Sequence, residues 1–370
     1  MKLAIVRQKY NPYGGAERFV ERALAALSDR DLSVTLITRD WPRDVPGRDV
    51  RICRPLHFGR LWRDVAFARC VRRLIGRGEF DLVQSHERIP GCAIYRAGDG
   101  VHATWLERRG RVQSPLARLA TRLNPWHRYT LAAEAALFRH PGLRGVICNS
   151  RMVAEDIGRR FGVAANKLNV IYNGVDLDEF HPRLRDQHRQ RVRGELGIAD
   201  AAPLLLLVGS GFERKGVAQL LAALARLRGA DIGLLVVGED KRRAAMEALA
   251  ASLGIAARVR FLGGKTDVRP YYGAADAFVL PTLYDPLPNA ALEALACGLP
   301  VVTSPNCGAA ELIVDGQSGF IVDPLDSAAL AERCARVAGL DRDAARQAVA
   351  GLSLAAMAQR LADLYARLAQ

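Results

Sequence analysis

Two adjacent cations in the second half of the chain have the composition of a phosphate-binding site. Arg214 and Lys215 follow the apolar run 204–208 and the glycine-containing segment 209–211. Arginine offers a planar fork of donors and lysine a point charge, so together they can neutralise a diphosphate. A solvated helix start is the alternative interpretation, but two cations at a helix N-terminus are unfavourable without an anion. We therefore predict that this pair binds phosphate.

Two carboxylates further along the chain flank a loop and the start of a helix. Asp285 and Glu293 are eight residues apart, and two prolines between them delay the helix until Asn289. We predict that Asn289 caps this helix and that the first backbone N–H groups face an anion. Each acid alone is equally consistent with an ordinary charge near a helix N-terminus.

A third acidic residue, Asp99, lies in the first half between Gly98 and Gly100. It lies shortly after a predicted strand at 93–96, so a functional position at a strand end is one interpretation. An aspartate beside two glycines is also typical of a simple turn. The residue pattern by itself leaves both interpretations open.

The elements that must position these residues alternate between strand and helix in both halves. We therefore predict an α/β chain with two Rossmann-like domains, each containing a doubly wound parallel sheet. The predicted strands cover 3–6, 33–38, 80–85, 93–96, 145–148, 204–208, 233–237, 259–262, 277–280 and 301–303.

The polar, proline-containing segment at 181–203 is interpreted as the junction between the domains. We expect an N-terminal domain at 1–172, a C-terminal domain at 173–345 and a C-terminal helix at 346–370. This last helix is expected to return to the N-terminal domain.

The excess of basic over acidic residues is confined to the first half of the chain. Residues 1–170 carry 31 Lys and Arg against 16 Asp and Glu, whereas 171–370 carry 22 against 23. The first half should therefore contact an anion such as nucleic acid, acidic lipid or a phosphorylated acceptor.

The segment 101–130 concentrates this charge and contains one acid, Glu107. Its arginines and aromatic residues are Arg108, Arg109, Arg111, Arg118, Arg122 and Arg128 with Trp105, Trp126 and Tyr129. This composition is typical of an anionic membrane interface. Nucleic-acid binding or an ordinary solvated surface are the alternatives.

No apolar stretch is long enough for a transmembrane helix, and the N-terminus becomes polar too soon for a signal peptide. We expect a cytoplasmic protein. Its seven cysteines, which lack a paired motif, are expected to be reduced and buried. Three scattered Asp-x-Asp sequences are not interpreted as metal sites.

Several ordered blocks of the chain resemble the retaining glycosyltransferases of family GT4, and in particular those that extend the heptose of a lipopolysaccharide core. The blocks are 9–18, 173–176, 212–217 and 285–302. The resemblance covers nearly the whole chain. It implies the GT-B fold, in which two Rossmann-like domains face each other across a cleft, and a UDP-sugar donor without a metal or other cofactor.

Carried over residue by residue, the resemblance implies a catalytic pair and a set of donor contacts. Asp99 would lie near the anomeric carbon and Asp285 against the transferred sugar. The implied donor-binding residues are Gly14, Gly15, Arg214, Lys215, Lys265, Leu287, Pro288, Asn289, Ala290 and Glu293. The family has glutamate where this chain has Asp285, so glucose, galactose and N-acetylated or amino sugars all remain open.

The resemblance also implies the partners. We expect a hexose to be transferred to a core heptose or related phosphorylated glycolipid, and no nucleic-acid partner. We hypothesise peripheral binding to the inner face of the cytoplasmic membrane through 101–130. The alternatives are a GT4 transferase with another glycolipid acceptor, a GT-B sugar-nucleotide epimerase and a non-enzymatic basic adaptor.

Overall fold

The computed structural model describes residues 1–9, 33–40, 49–227, 229 and 231–369. The chain divides into two compact units. The first unit comprises Met1–Asn173 together with Leu354–Gln370, and the second comprises Gly174–Ser353. Within the described ranges each unit is built on a parallel sheet, which confirms the predicted pair of Rossmann-like domains.

The first unit has helices around a seven-stranded sheet. Its described strands are β1 (Lys2–Lys9), β2 (Ser33–Asp40), β3 (Asp49–Ile52), β4 (Leu82–Ser85), β5 (Ile94–Arg96), β6 (Gly145–Cys148) and β7 (Leu168–Val170). Its described helices are α1 (Gly59–Ile75), α2 (His102–Gly110), α3 (Pro115–Leu123), α4 (Pro125–Arg139), α5 (Arg151–Phe161) and, after the second unit, α14 (Leu354–Ala369). The strand order is β3-β2-β1-β4-β5-β6-β7. The order therefore reverses between β1 and β4, and open α/β sheets bind ligands at such switch points.

The C-terminal helix α14 completes the core of the first unit. Ile5 of β1 is buried in one cluster with Leu361 and Tyr365 of α14. The Tyr365 hydroxyl also donates to Gln84 Oε1 of β4 at 2.7 Å. Val6, the next residue of β1, is buried in a different cluster with residues of α1, as the alternation of a strand requires. The expected return of the last helix to the N-terminal unit is confirmed.

The second unit repeats this architecture with six strands. They are β8 (Leu204–Val208), β9 (Gly233–Val237), β10 (Val259–Gly263), β11 (Ala277–Leu280), β12 (Val301–Thr303) and β13 (Gly319–Ile321). The helices are α6 (Leu184–Leu196), α7 (Phe212–Lys215), α8 (Val217–Arg226), α9 (Arg243–Ser252), α10 (Arg269–Ala274), α11 (Asn289–Ala296), α12 (Ser327–Arg336) and α13 (Arg342–Gln347). The order β10-β9-β8-β11-β12-β13 places the switch point between β8 and β11.

The segment predicted as a junction at 181–203 is instead part of the second unit. It contains helix α6, whose Arg193 is 1% exposed. Arg193 Nη2 lies 2.6 Å from Asp276 Oδ2, and the same carboxylate oxygen accepts the Leu204 N–H at 2.9 Å. The polar composition that resembled a linker therefore includes a buried arginine whose charge and hydrogen bonds are satisfied.

The C-terminal helix begins later than expected. Residues 346–353 lie in the second unit, where Arg346 donates to the carbonyl oxygens of Ala296 at 2.6 Å and Phe180 at 2.8 Å. The chain returns to the first unit at Leu354. This difference follows from hydrogen bonds to distant backbone groups, which an Ala- and Leu-rich pattern does not reveal.

The expectation that every cysteine is reduced is wrong at two positions. Cys53 and Cys70 form a disulfide, with Cα atoms 6.2 Å apart. The pair joins the segment after β3 to α1, so the partners meet through the fold and not through a spacing motif. The five remaining cysteines are buried thiols. Among the described helices, none is long and apolar enough to cross a membrane.

Candidate functional site

The predicted cations and the first predicted carboxylate meet at the switch point of the second sheet. Arg214 and Lys215 end α7, which follows β8, and Asp285 follows β11. Lys215 Nζ lies 2.9 Å from Asp285 Oδ2, and both side chains are less than one tenth exposed. Arg214 Nη2 lies 3.7 Å from the same oxygen. Three predicted site residues therefore form one charged cluster.

The environment of Asp285 favours its ionised form. Burial raises the pKa of this carboxyl group, but the positive charges of Lys215 and Arg214 lower it. Hydrogen bonds from Lys215 and from the Leu287 N–H lower it further. The balance holds the pKa of Asp285 below its ordinary value, so this buried site contains a carboxylate at neutral pH.

Arg214 and Lys215 lie in the last turn of the short helix α7 and directly before Gly216, the N-cap of α8. They therefore precede the N-terminus of a ten-residue helix, as predicted, where positive charge is unfavourable without an anion. Gly216 ends α7 with a φ of +74°, and a Cβ at this position would clash with the carbonyl oxygen of Pro281. The Arg214 carbonyl oxygen accepts the Thr282 hydroxyl at 2.6 Å. These contacts join the α7 loop to the loop that carries Asp285.

Asp240, which follows β9, is a site residue that sequence reasoning missed. Its Oδ2 accepts the N–H groups of Gly211 at 2.8 Å and Phe212 at 3.0 Å. Burial raises the pKa of Asp240, but backbone hydrogen bonds, first that of Arg242, bring it below its ordinary value. Asp240 thus caps α7 and fixes the backbone that presents the cations.

Glu293 lies in the second turn of α11 and is 3% exposed. The Tyr272 hydroxyl is 3.0 Å from Glu293 Oε2 and 3.1 Å from the carbonyl oxygen of Ala290. Tyr272 was also missed from the sequence, because its role depends on contact between its own helix, α10, and α11. Together these atoms hold the Glu293 carboxylate in a defined orientation.

The start of α11 differs in detail from the prediction. Pro288, and not Asn289, occupies the cap position. Pro288 has no N–H group, and the Leu287 N–H donates to Asp285. Asn289 and Ala290 therefore provide the first two helical N–H groups.

Lys265 is half-buried and follows β10, the edge strand of the second sheet. Strand β9 separates β10 from β8. Lys265 therefore shares the carboxyl edge of the sheet with the charged cluster, but it lies two strands away from the cations. The predicted Gly14 and Gly15 lie outside the described residues.

Asp99 is exposed and lies in the turn after β5. The Gly100 N–H donates to the carbonyl oxygen of Ala97 at 3.0 Å. Arg88 Nη2 donates to the carbonyl oxygen of Gly100 at 3.0 Å, and its Nε lies 2.9 Å from the buried Glu134 carboxylate. Arg88 therefore fixes the Asp99 turn at the carboxyl edge of the first sheet, and it was not identified from the sequence.

A small cavity of about 80 Å³ lies at the switch point of the first sheet. Its polar lining includes Gln8 at the end of β1, Glu87 after β4 and Asp64 of α1. Gln8 Nε2 donates to Asp64 Oδ1 at 3.1 Å, and the Gln8 N–H donates to Glu87 Oε1 at 3.0 Å. Trp126 contributes an aromatic wall. The arrangement offers hydrogen-bonding groups and an aromatic surface to a polar ligand.

Comparison with known proteins agrees with this architecture. A family model described as glycosyl transferases group 1 matches residues 188–349, and one described as glycosyltransferase family 4 matches 13–179. A D-inositol 3-phosphate glycosyltransferase of Geodermatophilus obscurus is 30% identical over 353 residues, or 85% of this chain and 76% of that protein. This chain belongs to the family 4 glycosyltransferases.

The transferase is also similar to the lipopolysaccharide glucosyltransferase WaaG of Escherichia coli (strain K12). The identity is 29% over 326 residues, which cover 87% of this chain and 85% of WaaG. The crystal structure of WaaG matches with a TM-score of 0.83 at 27% identity and covers 98% of this chain and 99% of that one. A structure of Anabaena Alr3699/HepE with UDP-glucose has a TM-score of 0.73 at 20% identity over 99% of this chain and all of that one, a likeness of fold. The chain is thus a sugar-transferring enzyme related to lipopolysaccharide core glucosyltransferases.

The basic segment of the transferase differs from its predicted surface. Trp105, Trp126 and Tyr129 are half-buried, and the Trp126 indole N–H donates to Asp64 at 2.7 Å. Most of its exposed apolar side chains belong to α3, in which no residue is buried. They include Leu116, which is 80% exposed. The aromatic residues therefore support the local fold, while aliphatic residues face solvent.

Within the part of the transferase that the structure describes, no group of three or more His, Cys, Asp and Glu side chains is arranged to hold a metal ion. Two of the Asp-x-Asp sequences have local roles. Asp176 Oδ1 accepts the Glu179 N–H at 2.9 Å, and Asp341 Oδ1 accepts the Asp343 N–H at 2.8 Å. The sequence containing Asp29 lies outside the described residues.

Proposed function

We propose that this enzyme transfers a hexose from a UDP-sugar to a heptose of a lipopolysaccharide core, or to a related phosphorylated glycan, with retention of anomeric configuration. The observation that carries the proposal is the buried Lys215–Asp285 pair beside Arg214 at the switch point of the second sheet. The similarity to WaaG over most of both chains supports the choice of acceptor class.

The proposed donor site uses the carboxyl edge of the second sheet. Arg214 and Lys215 bind the diphosphate, and the first N–H groups of α11 contribute donors. Glu293 accepts hydrogen bonds from the ribose hydroxyls. Lys265 contacts the base. UDP is proposed because the resemblance to retaining family 4 transferases implies it, and because Anabaena Alr3699/HepE, which shares the fold, is solved with UDP-glucose.

The proposed step breaks the bond between the anomeric carbon and a β-phosphate oxygen. The acceptor hydroxyl oxygen bonds to the same carbon on the same face, and its proton passes to the departing phosphate oxygen. Negative charge therefore grows on the diphosphate, where Arg214 and Lys215 lower the barrier without a metal ion. Asp99 orients the acceptor hydroxyl or stabilises positive charge at the anomeric carbon.

Asp285 is proposed to contact the transferred sugar near its 3- and 4-hydroxyls. Its ion pair with Lys215 couples this contact to the diphosphate, because one lysine can bond both to Asp285 and to a phosphate oxygen. Aspartate is one methylene shorter than the glutamate of the family. Glucose is the first donor to test because WaaG is a glucosyltransferase, with galactose and N-acetylated sugars as direct competitors.

The acceptor is proposed to bind at the first unit. The cavity at its switch point combines the polar side chains of Gln8, Asp64 and Glu87 with the ring of Trp126. Such polar side chains can hydrogen-bond to sugar hydroxyls, and an aromatic ring can pack against the face of a sugar. The arginines of the same unit suit the phosphates of a lipopolysaccharide core.

The enzyme is further proposed to bind the cytoplasmic membrane peripherally through 101–130. Arg118 and Arg122 of α3 are exposed, and so are Leu116, Leu119 and Leu123 at 80%, 53% and 61%. A short helix with apolar and basic exposed residues is suited to lie in an anionic lipid interface.

The proposed activity is tested with the purified full chain and a panel of UDP-glucose, UDP-galactose and UDP-N-acetylglucosamine. Heptose-terminated core is the acceptor, and the readouts are product mass, anomeric configuration by NMR, and UDP release. We expect one hexose added with retention, and the same rate when EDTA is present. An inverted product, or a rate abolished by EDTA and restored by metal, would contradict the mechanism.

The acceptor dependence of UDP release separates the alternatives. A transferase releases UDP when core is supplied, whereas an epimerase converts the donor without acceptor. A transferase with another glycolipid acceptor would bind UDP-sugar but leave the core unchanged. A basic adaptor would bind no UDP-sugar at all.

A further inference from the structure

The segment that follows β3 exposes large apolar side chains outside the basic segment 101–130. Leu56 is 96% exposed, Phe58 is 91% exposed and Trp62, in the first turns of α1, is 61% exposed. Burying such side chains would remove a large apolar area from water, so three of them so close together indicate a contact surface. We call residues 54–62 the β3–α1 loop.

The β3–α1 loop is joined directly to the basic segment. The Arg60 guanidinium lies 3.4 Å from the centroid of the Trp126 ring, and the Trp126 indole N–H donates to Asp64 Oδ2 at 2.7 Å. Trp126 is the second residue of α4, and α4 follows α3 after a single residue, Asn124. The two exposed apolar sets therefore flank one junction of α1 with α4.

The same junction borders the acceptor-side cavity. Asp64 and Trp126 line that cavity, and the β3–α1 loop leaves the sheet at the carboxyl end of β3. The parallel strands β1 and β4 end at this same edge. A surface that contacts lipid here would present the edge of the sheet to an acceptor that is itself held in the membrane.

The charge around the loop identifies the kind of surface that it fits. Residues 54–78 contain seven arginines and one acid, Asp64. That carboxylate is already engaged by Trp126 and Gln8. A second copy of this chain would bring the same arginines together, which is unfavourable, whereas anionic headgroups are complementary to them.

We propose that the β3–α1 loop is a second membrane-contacting element, in which Leu56 and Phe58 enter the apolar boundary of an anionic bilayer. Trp62 lies at headgroup level, as tryptophan commonly does, and Arg54 and Arg60 contact lipid phosphates. This inference rests on the proposed function, since it adds a contact to the membrane surface proposed for 101–130.

Vesicle binding by the full chain tests the inference. Sedimentation is compared for phosphatidylcholine alone and for equal parts of phosphatidylcholine and phosphatidylglycerol, with Leu56→Ser/Phe58→Ser as the loop variant. Partitioning to anionic vesicles should fall by about tenfold or more, because both side chains would no longer be buried in the apolar boundary of the bilayer. The matched control is Val314→Ser/Leu325→Ser, at exposed apolar positions of the second unit, which should bind like wild type.

Brominated lipid gives a readout that weaker electrostatic binding would not reproduce. Bromine quenches indoles that reach the interface, so wild type should lose fluorescence on anionic bromolipid vesicles and Trp62→Phe should lose a smaller fraction. Equal quenching of both proteins, or wild-type partitioning of the loop variant, would overturn the proposal.

The remaining outcomes separate the loop from the proposed function. If Leu116→Ser/Leu119→Ser abolishes partitioning and the loop variant does not, the membrane contact of α3 stands and the loop contact is wrong. If wild type binds neither vesicle, both membrane contacts are wrong. Sugar transfer to delipidated core is measured in parallel and should be unchanged in the loop variant. A dimer of wild type that the loop variant converts to monomer would assign the surface to self-association instead.

Discussion

A single carboxylate organises the charged cluster of the second unit. Asp285 bonds Lys215, lies within reach of Arg214 and accepts the Leu287 N–H. A buried charge pair contributes little net stability, but removing one partner leaves the other unpaired in a poorly solvated place. Lys215 is therefore tied both to the stability of the second unit and to the proposed stabilisation of the leaving diphosphate.

Replacing the lysine should affect both properties. We expect Lys215→Met to lower kcat by about 100–1000-fold, the range for loss of one transition-state donor. It should also destabilise the unit by about 3–5 kcal/mol, because Asp285 stays buried without its partner. Steady-state kinetics and denaturant titration followed by circular dichroism measure the two effects, with the exposed Lys241→Ala as the matched control.

The double variant Lys215→Met/Asp285→Asn separates these roles. It removes both charges, so much of the lost stability should return while the rate stays low. Recovery of the rate together with stability would show that Lys215 acts only as a structural partner of Asp285.

At the scale of elements, helices α2 and α4 meet through a pair of histidines, of which His102 is buried and His127 half-buried. His102 Nε2 lies 3.0 Å from His127 Nδ1, and His102 is 7% exposed. Burial, followed by the nearby charge of Arg88, lowers the pKa of His102 to about 3. The histidine is therefore neutral in the folded protein over a range where an unfolded chain would protonate it.

The stability of the first unit should consequently depend on pH. Between about 6.5 and about 3 the unfolded state binds the His102 proton and the folded state does not. Stability is therefore fully present above about 6.5 and falls as the pH decreases, by about 1.4 kcal/mol per unit. Thermal unfolding from pH 7 to pH 4 measures this slope.

His102→Gln should flatten that slope, with the exposed His57→Gln as its control. Part of the slope should persist, since His86 is buried and its pKa also lies well below the ordinary value. Identical slopes for wild type and His102→Gln would show that His102 does not couple protonation to folding.

At the scale of the whole molecule, the chain crosses between units twice, at residue 173/174 and again at 353/354. The core of the first unit therefore includes a helix that follows the second unit in the chain. Leu361 of α14 is fully buried against strands of the first sheet. Removing its side chain should leave a cavity in that core, although the residue lies far along the chain.

Intrinsic fluorescence can follow this dependence, because all four tryptophans lie within residues 1–173. We expect Leu361→Ala to lower the stability reported by tryptophan fluorescence by about 2–5 kcal/mol, as for other buried leucines. The exposed neighbour Arg360→Ala should leave the unfolding midpoint unchanged. An unchanged midpoint for Leu361→Ala would contradict the assignment of α14 to the first core.

Much of this protein was accessible from the sequence. Strand and helix periodicity are local properties, so the alternating pattern determined two α/β units, and the order of several motifs determined the glycosyltransferase family. The count of charged residues identified the first half of the chain as basic. The same local signals misplaced the cap of α11, the start of α14 and the exposure of Trp126, since those depend on contacts with distant residues.

Tertiary structure alone decided which charges meet. Lys215 and Asp285 are 70 residues apart and pair because β8 and β11 are neighbours only in the sheet. Asp240 reaches α7 for the same reason, from the loop after β9. The sequence by itself determined the fold class, the family and the residue types of the site, because these reside in local pattern and composition. Only packing decided which charges are partners and which apolar side chains are buried. Both properties depend on groups that are distant in the sequence and that the fold brings together.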